Sequence, residues 1–596
     1  MRTTLMQWYG KTLSLLLLSF CGLQNVGAQS RLLDDFETLA GWRAIPSEGA
    51  KLTISQGEGK TGRALVMEFD LTGAYGYTIA QKDFVLDLPS NYQFTFDLKA
   101  DVPVNNFEFK LLDSLGNVWW IKKLNVEYPK QWEKQRIKKR HLAYAWGPSG
   151  GGEIRRVAKI EFVVSSGMGG KGQVFIDNFR FEPIDDSAAQ KARAEFDASS
   201  LAKGGEPLIN EQGTVLTNWS GKRESEWLSI NFNHLKEIGG LVIDWDSVTY
   251  ATAYEVHLSD DGKEWTSAYR VSNGNGGKDF VYLPEKDARL VRLTFTKSAA
   301  GRGYAIRRLE VKGPGFSQSP NEFFAAVARE FPRGYFPRHF LNEQAYWTVV
   351  GVDGDTKEAL INELGAVEVD QSGFTLEPFL FINDTLITWN DVERSQSLVD
   401  EYLPVPIVTW RRGALKLTIR AFAAGAAGNS MLIVSYRIEN LGGQPLRGKL
   451  FVAFRPYQVN PPWQWLNRVG GASRIDSIRN AGGLLFVHNK TVIPISNASG
   501  FGATAFDSGE IIEHLQRGAL PTMQEVTDAR GFASAALRYD FNSIADLPRE
   551  YHIVVPFHAW SGSPTPNMGE SADIYAAMAY ETTLAWWKSK LNSVRI

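Results

Sequence analysis

The chain has a single cysteine in 596 residues, Cys21. A disulfide framework is excluded, and so is a zinc site built on several thiolates. Histidine is scarce too, with eight in all, and His141, His339, His514 and His552 are scattered without metal-ligand spacing. Neither sign of charge dominates: 64 Lys and Arg stand against 66 Asp and Glu, a formal net charge of −2. So even a balance argues against nucleic acid or membrane phosphate as the main partner. No glycine-rich phosphate loop is present, since no helical pattern follows Gly150-Gly151-Gly152. A serine nucleophile elbow with its histidine and acid is also missing. The apolar run from Thr12 to Cys21 is shorter than the ~18 residues a membrane helix needs, so no membrane insertion is expected.

That run instead reads as the centre of a secretory signal over residues 1–28. Arg2 and Lys11 supply its positive charge, and Val26-Gly27-Ala28 suits a signal peptidase cutting before Gln29. A lipid anchor on Cys21 is the competing reading, set against the bulk of Phe20. Cleavage leaves a thiol-free exported chain of charge −4, periplasmic, secreted or cell-surface. Without disulfides such a chain depends on core size for stability. The mature part is rich in β-branched and aromatic residues, with Gly, Asn and Asp clusters between short runs. That pattern predicts an all-β protein of consecutive antiparallel sandwiches. The expected layout is a first module at 29–184, a polar linker with some helical character at 185–205, a second module at 206–315, and a third at 316–596 ending in a helix.

In the second module, Tyr254, Val256 and Leu258 alternate onto one strand face, Asp260-Asp261-Gly262 makes the following turn, and Val291, Leu293 and Phe295 alternate again. With Thr217-Asn218-Trp219-Ser220, Glu226-Trp227-Leu228-Ser229 and Tyr304-Ala305-Ile306-Arg307-Arg308-Leu309, these blocks resemble the discoidin, or coagulation factor 5/8 type C, family. The resemblance implies a β-sandwich that binds sugars in many of its members. Tyr250, Trp265, Tyr269 and Tyr304 are the candidate ligand aromatics. An acid that helps hold calcium in sugar-binding members falls here at Gln212, and a second one at Arg308, so no calcium is expected in this module. A spacer that has lost its ligand is the alternative.

The first module, with Leu33-Asp34-Asp35-Phe36-Glu37, Gly41-Trp42, Gly62-Arg63-Ala64-Leu65 and Val174-Phe175-Ile176-Asp177-Asn178, resembles jelly-roll carbohydrate-binding modules of the family-eleven type. Alternation places Asp177 on the face of Phe175 and Phe179, where a bare carboxylate is costly. The resemblance implies a structural calcium held by Asp35, Glu37 and Asp177, and oxygen ligation suits that ion. A turn cap or a basic partner for Asp177 is the alternative. Tyr75, Tyr77, Trp119, Trp120, Trp132, Tyr144 and Trp146 lie near loops, where flat rings can accept sugar faces. Trp119 and Trp120 must face opposite ways, so one of them at most lines a platform. Tyr75, Tyr77, Trp119 and Trp146 are taken as the carbohydrate-binding set.

In the third module, Gly373–Asn383, Leu415–Phe422, Met431–Asn440 and Leu450–Pro456 describe a large sandwich, followed by Asn460-Pro461-Pro462-Trp463-Gln464-Trp465. It resembles the β-supersandwich placed before the α/α toroid of several glycoside hydrolases and phosphorylases. The terminal helix, with Ile574, Ala577, Met578, Leu584, Trp587 and Leu591 at helical spacing, is the element that leads into the toroid in those enzymes. The sequence ends at Ile596 without one. Glycosidases need two carboxylates roughly 5–9.5 Å apart, and Asp353, Asp355, Glu363, Glu377, Asp384, Asp391 and Glu393 offer no pair that spacing alone selects. The reading is an exported binder of polysaccharide, the non-catalytic front of a glycan-processing enzyme with the catalytic domain separate, or a stand-alone binder. The alternatives are a glycoside hydrolase with its site in the third module and a cell-surface adhesion or scaffold protein.

Overall fold

The computed structural model describes residues 30–593 apart from 74, 186–188, 190, 302, 465–468, 546 and 561, so the leader lies outside the described residues. The chain divides into two compact units, one ending at Ser187 and one beginning at Ala188.

Unit one is two six-stranded antiparallel sheets. One runs Lys51–Glu58, Arg63–Asp70, Lys171–Pro183, Tyr92–Asp101, Glu133–Lys138, with Arg31–Asp34 also on Lys171–Pro183. The other runs Ala143–Trp146, Val118–Val126, Asn105–Leu112, Arg156–Ser165, Tyr77–Asp87, Trp42–Pro46. Alternation aims Phe94 and Phe96 of one sheet and Phe107, Phe109 and Leu111 of the other into a shared core. Phe96, Phe109 and Phe179 meet around Phe162 at centroid distances of 5.1, 5.4 and 5.3 Å. Such tilted contacts suit the ring quadrupoles.

Simple alternation fails at several bulges, and the one near Asp177 bears on the site residues. Asn178 has φ +52° and breaks the ladder between Asp177 and Arg180. This bulge adds one residue, so Val174 and Ile176 point inward before it and Phe179 and Phe181 after it. Phe175 therefore faces outward beside Trp132 and Lys99, not the same way as Phe179. Asp177 also points outward but is 0% exposed.

Unit two holds the second and third modules. The second forms one continuous eight-stranded sheet that folds over its own core. Its longest strands, Glu226–Trp245 and Lys278–Ser298, carry bulges that let each serve both layers. Trp219, Trp245, Tyr254, Phe295 and Tyr304 fill the interior, and Val256, Leu258, Val291 and Leu293 are buried on the expected face. Part of the segment read as a linker belongs to this module. Glu195–Ala198 is a strand on Glu226–Trp245, and Phe196 packs on the core. Ser199 and Ser200 donate to Glu226, which also accepts from Lys222 N at 3.0 Å and Arg223 N at 2.6 Å. Polar composition concealed one large apolar anchor, Phe196, flanked by the small Ala194 and Ala198.

The third module packs an eight-stranded sheet on a nine-stranded one, with Trp410, Tyr436, Phe454 and Tyr539 among the residues between them. Both outer faces are covered. On the eight-stranded side, Phe323 and Phe324 of the helix Pro320–Ala328 join Phe451, Tyr457, Phe506 and Phe532, together with Val242 and Phe280 of the second module. Ser319 caps that helix by accepting from Asn321 N, and Pro320 fits its first turn. On the nine-stranded side lies the helix Ser571–Asn592. Leu584, Trp587 and Leu591 pack inward as expected, together with Tyr575, Ala576, Ala579 and Tyr580. Ile574 and Met578 are exposed instead, because apolar residues occur on nearly every side of this helix and spacing alone leaves its register open.

Candidate functional site

The open face of the second sheet of unit one carries a groove of about 600 Å³. Its floor follows from strand register. Trp120 pairs with Lys110, Lys110 with Glu161, and Glu161 with Gln81, so these four side chains cross four strands in a row. Lys122, Glu108, Val163 and Ile79 form the next row, and Asn106, Ser165 and Tyr77 another. Trp146 pairs with Val118 at the sheet edge and is 48% exposed, while Tyr75 stands fully exposed at the other end.

The polar groups of the floor are fixed to one another. Lys110 Nζ lies 3.0 Å from Glu108 Oε2, and Lys122 Nζ lies 3.5 Å from Glu108 Oε1. Ser165 Oγ donates to the same carboxylate at 2.9 Å. Gln81 Nε2 donates to Glu161 Oε1 at 2.6 Å, and Gln81 Oε1 accepts from Arg43 Nη2 at 2.8 Å. The Lys110 ammonium lies 5.9, 5.5 and 5.3 Å from the ring centroids of Tyr77, Trp120 and Trp146, within cation–π range. The ionic side chains among the described lining residues are Glu108, Lys110, Lys122 and Glu161. Two cations and two anions give a groove of rings, donors and acceptors with no net charge.

Tyr75, Tyr77 and Trp146 are brought together here. Trp119 is not: it is buried in the core, donates from Nε1 to Gly152 O at 2.7 Å and meets the edge of Tyr144. Its neighbour Trp120 takes the groove face, as adjacent strand residues must diverge. The floor residues were missed, although Asn106, Glu108 and Lys110 alternate with Phe107, Phe109 and Leu111 in the sequence.

The acids read as calcium ligands separate into two groups. Glu37 Oε1 accepts from Arg63 N at 2.8 Å, and Asp177 Oδ2 accepts from Thr61 N at 3.0 Å, so both hold the same turn. Asn178 N donates to Asp177 Oδ1 at 2.6 Å, and the turn lying over Asp177 accounts for its burial. Asp35 is exposed and accepts from Glu37 N instead. Among the described residues no three His, Cys, Asp or Glu side chains are placed to hold a metal ion.

The second-module candidates do not converge. Tyr304 is a core residue, its ring 5.1 Å from Phe295 and its hydroxyl bonded to Glu224 O. Trp265 is half-buried against the Arg292 guanidinium at 3.9 Å, with Trp227 near the same guanidinium at 4.5 Å. Tyr250 packs under Gly276, where an added Cβ would come within 2.9 Å of the ring. The loop at Gln212 is closed by Asn210, whose Oδ1 accepts from Thr214 N and Val215 N at 2.8 and 3.0 Å. Arg308 pairs with Glu310.

In the third module most of the candidate acids serve the fold. Asp391 caps a short turn by accepting from Thr388 N and Oγ1. Asp355 is held by His558 and Ser430, Glu363 by Arg338, and Asp353 by Lys590. Glu377 and Glu510 flank Arg455, which is 0% exposed, at 3.1 and 2.7 Å. Asp384 sits in a two-residue hairpin turn with φ +54°.

Comparison with known proteins adds three findings. A stretch of 84 residues is 31% identical to the polysaccharide lyase 8 family protein HylA of Enterococcus faecalis, covering 13% of this chain and 6% of that protein. The chain thus spans a small fraction of the relative it matches. Among solved structures, the family 11 carbohydrate-binding module of a cellulosomal cellulase of Clostridium thermocellum is 20% identical, with 26% of this chain and 96% of that one covered, at a TM-score of 0.23. Chitosan-binding module 2 of a chitosanase/glucanase from Paenibacillus sp. IK-5, solved with chitotriose, is 26% identical over 20% of this chain and 98% of that one, at a TM-score of 0.19. Residues 195–309 match the F5/8 type C domain, and this part of the chain is a domain of that family.

Proposed function

We propose that the chain is an exported glycan-binding protein whose first module holds polysaccharide in the groove of Tyr77, Trp120 and Trp146. The observation that carries this reading is the groove itself. Partly exposed rings flank a floor of buried, mutually fixed donors and acceptors, which is the arrangement that grips sugar faces and hydroxyls together. The 84-residue likeness to a polysaccharide lyase family protein is in keeping with a polysaccharide ligand.

Binding without cleavage is the expected behaviour, since the third-module acids described above are engaged in ion pairs, caps and turns. The decisive assay is a pull-down of the full chain on insoluble and gel-embedded polysaccharides, paired with measurement of released reducing ends. Retention with no release supports the reading. Turnover at ordinary enzyme rates would move the function to the third module, and failure to bind any glycan would sink it. Export rests on the leader, and intact mass of the exported protein should place its N-terminus at Gln29. We also propose a structural calcium in this module, held by some of Asp35, Glu37 and Asp177, whose carboxylate oxygens suit a hard cation.

A further inference from the structure

We propose that the joint between the second and third modules is a proton-operated latch, closed by the carboxyl groups of Asp279, Asp507 and Glu513. The two modules meet across a cavity of about 20 Å³ whose lining includes all three acids, one from the second module and two from the third. Each carboxyl is tied to donors of the second module. Trp245 Nε1 and Tyr254 OH both donate to Asp279 Oδ2 at 2.8 Å. Tyr269 OH donates to Asp507 Oδ1 and Asn275 Nδ2 to Glu513 Oε2, so these two bonds bridge the modules directly.

The charges facing the cluster do not balance it. Arg530 Nη1 is 3.2 Å from Asp507 Oδ2 and its guanidinium lies over Tyr269. Asp528 adds negative charge beside Asp507, and Glu510 does so beside Glu513. Arg517 acts on Glu513 from the same helical segment, and His514, beside it, is held neutral by burial. Lys278 turns away to pair with Glu330, and Arg455 is committed to Glu510 and Glu377. Fully ionised, the cluster therefore holds more buried negative than positive charge.

Burial pushes Asp279 up to about 7, Asp507 to about 6 and Glu513 to about 7, with repulsion from Asp507 and Glu513 adding at Asp279, from Asp528 at Asp507 and from Glu510 at Glu513. The sign follows directly. Between the ordinary carboxyl range near 4 and these raised values, the folded joint binds more protons than the unfolded chain, so stability falls as pH rises. The joint is tight in acid and strained at neutral pH. His339, His514 and His552, held neutral by burial, contribute the opposite slope. Glu368, raised to about 7 inside the third module, contributes the same slope, so a variant must separate it from the latch.

The test uses the full chain melted between about pH 5 and pH 8, alongside the double variant Asp279→Asn, Glu513→Gln. These amides mimic the protonated acids. The wild type should lose roughly 3–6 °C across this range, and the variant should melt higher than wild type at pH 8 with a shallower slope. A variant that keeps the wild-type slope, or a wild type with no slope, overturns the latch. If the double variant does not fold, proteolytic nicking of the wild-type loop 272–277 gives the reading, normalised to an unfolded substrate at each pH. Faster nicking at pH 8 than at pH 6 supports the latch, and equal nicking overturns it.

Discussion

Trp146→Ala should weaken polysaccharide binding strongly while leaving the fold intact. The ring is 48% exposed at the sheet edge and contacts the groove rather than the core. An aromatic side chain buries 150–250 Å², so a sugar covering the open half removes about 100 Å² from water. At about 25 cal/mol per Å² that is ~2.5 kcal/mol, or roughly a sixty- to seventyfold rise in Kd. A few rings on an open face give total affinities of millimolar to micromolar, about 4–8 kcal/mol, so one ring of this size is a large share of the whole. Affinity electrophoresis in polysaccharide-containing gels reads the change, and a thermal melt controls for folding. Trp119→Phe supplies the contrast. It removes the part-buried bond to Gly152 O, which should cost about 1–2 kcal/mol of stability and leave binding in place. Were Trp119→Phe to abolish binding at an unchanged melting temperature, with Trp146→Ala silent, the placement of the site on this face would be refuted.

Arg455→Met should destabilise unit two by about 3–5 kcal/mol, because Glu377 and Glu510 would be left buried without their cation; denaturant unfolding measures it. Gly62→Ala should lower the melt of unit one, by roughly 1–3 kcal/mol in the range for a residue forced into a left-handed conformation. Its φ is +60° and a Cβ would sit 1.7 Å from Glu37 Oε1. A chelator should lower the melt of unit one if calcium occupies the turn, by about 2.7 kcal/mol where the ion was a hundredfold above its Kd. An unchanged melt assigns that turn to the hydrogen bonds of Glu37 and Asp177 alone.

The sandwiches were legible because their strands bury one face, and period-two alternation survives wherever that holds. Tyr254, Val256 and Leu258 are buried as spaced. Legibility failed where one extra residue shifts the period. The bulge at Asn178 puts Phe175 and Phe179 on opposite faces, and no local pattern announces it. The strand Glu195–Ala198 was hidden for another reason: an edge strand whose one large apolar residue is Phe196, beside the small Ala198, has the composition of a linker.

The candidate site was legible in its rings and not in its floor. Aromatic residues near loops stand out against a polar background, whereas Glu108, Lys110, Gln81 and Glu161 look like ordinary solvent-facing strand positions. What distinguishes them is that three strands, contributed from residues 77 to 165, bring them into register and bury them together. The acid latch shows the same limit more sharply. Asp279 lies on a strand of the second module, while Asp507 and Glu513 follow more than 220 residues later, and each alone is an unremarkable acid. Their chemistry arises only where burial in a module joint removes the water that would have solvated them. Sequence periodicity reports which face of a strand is dry. It carries no information about which dry faces meet, and both the groove and the latch are properties of the meeting.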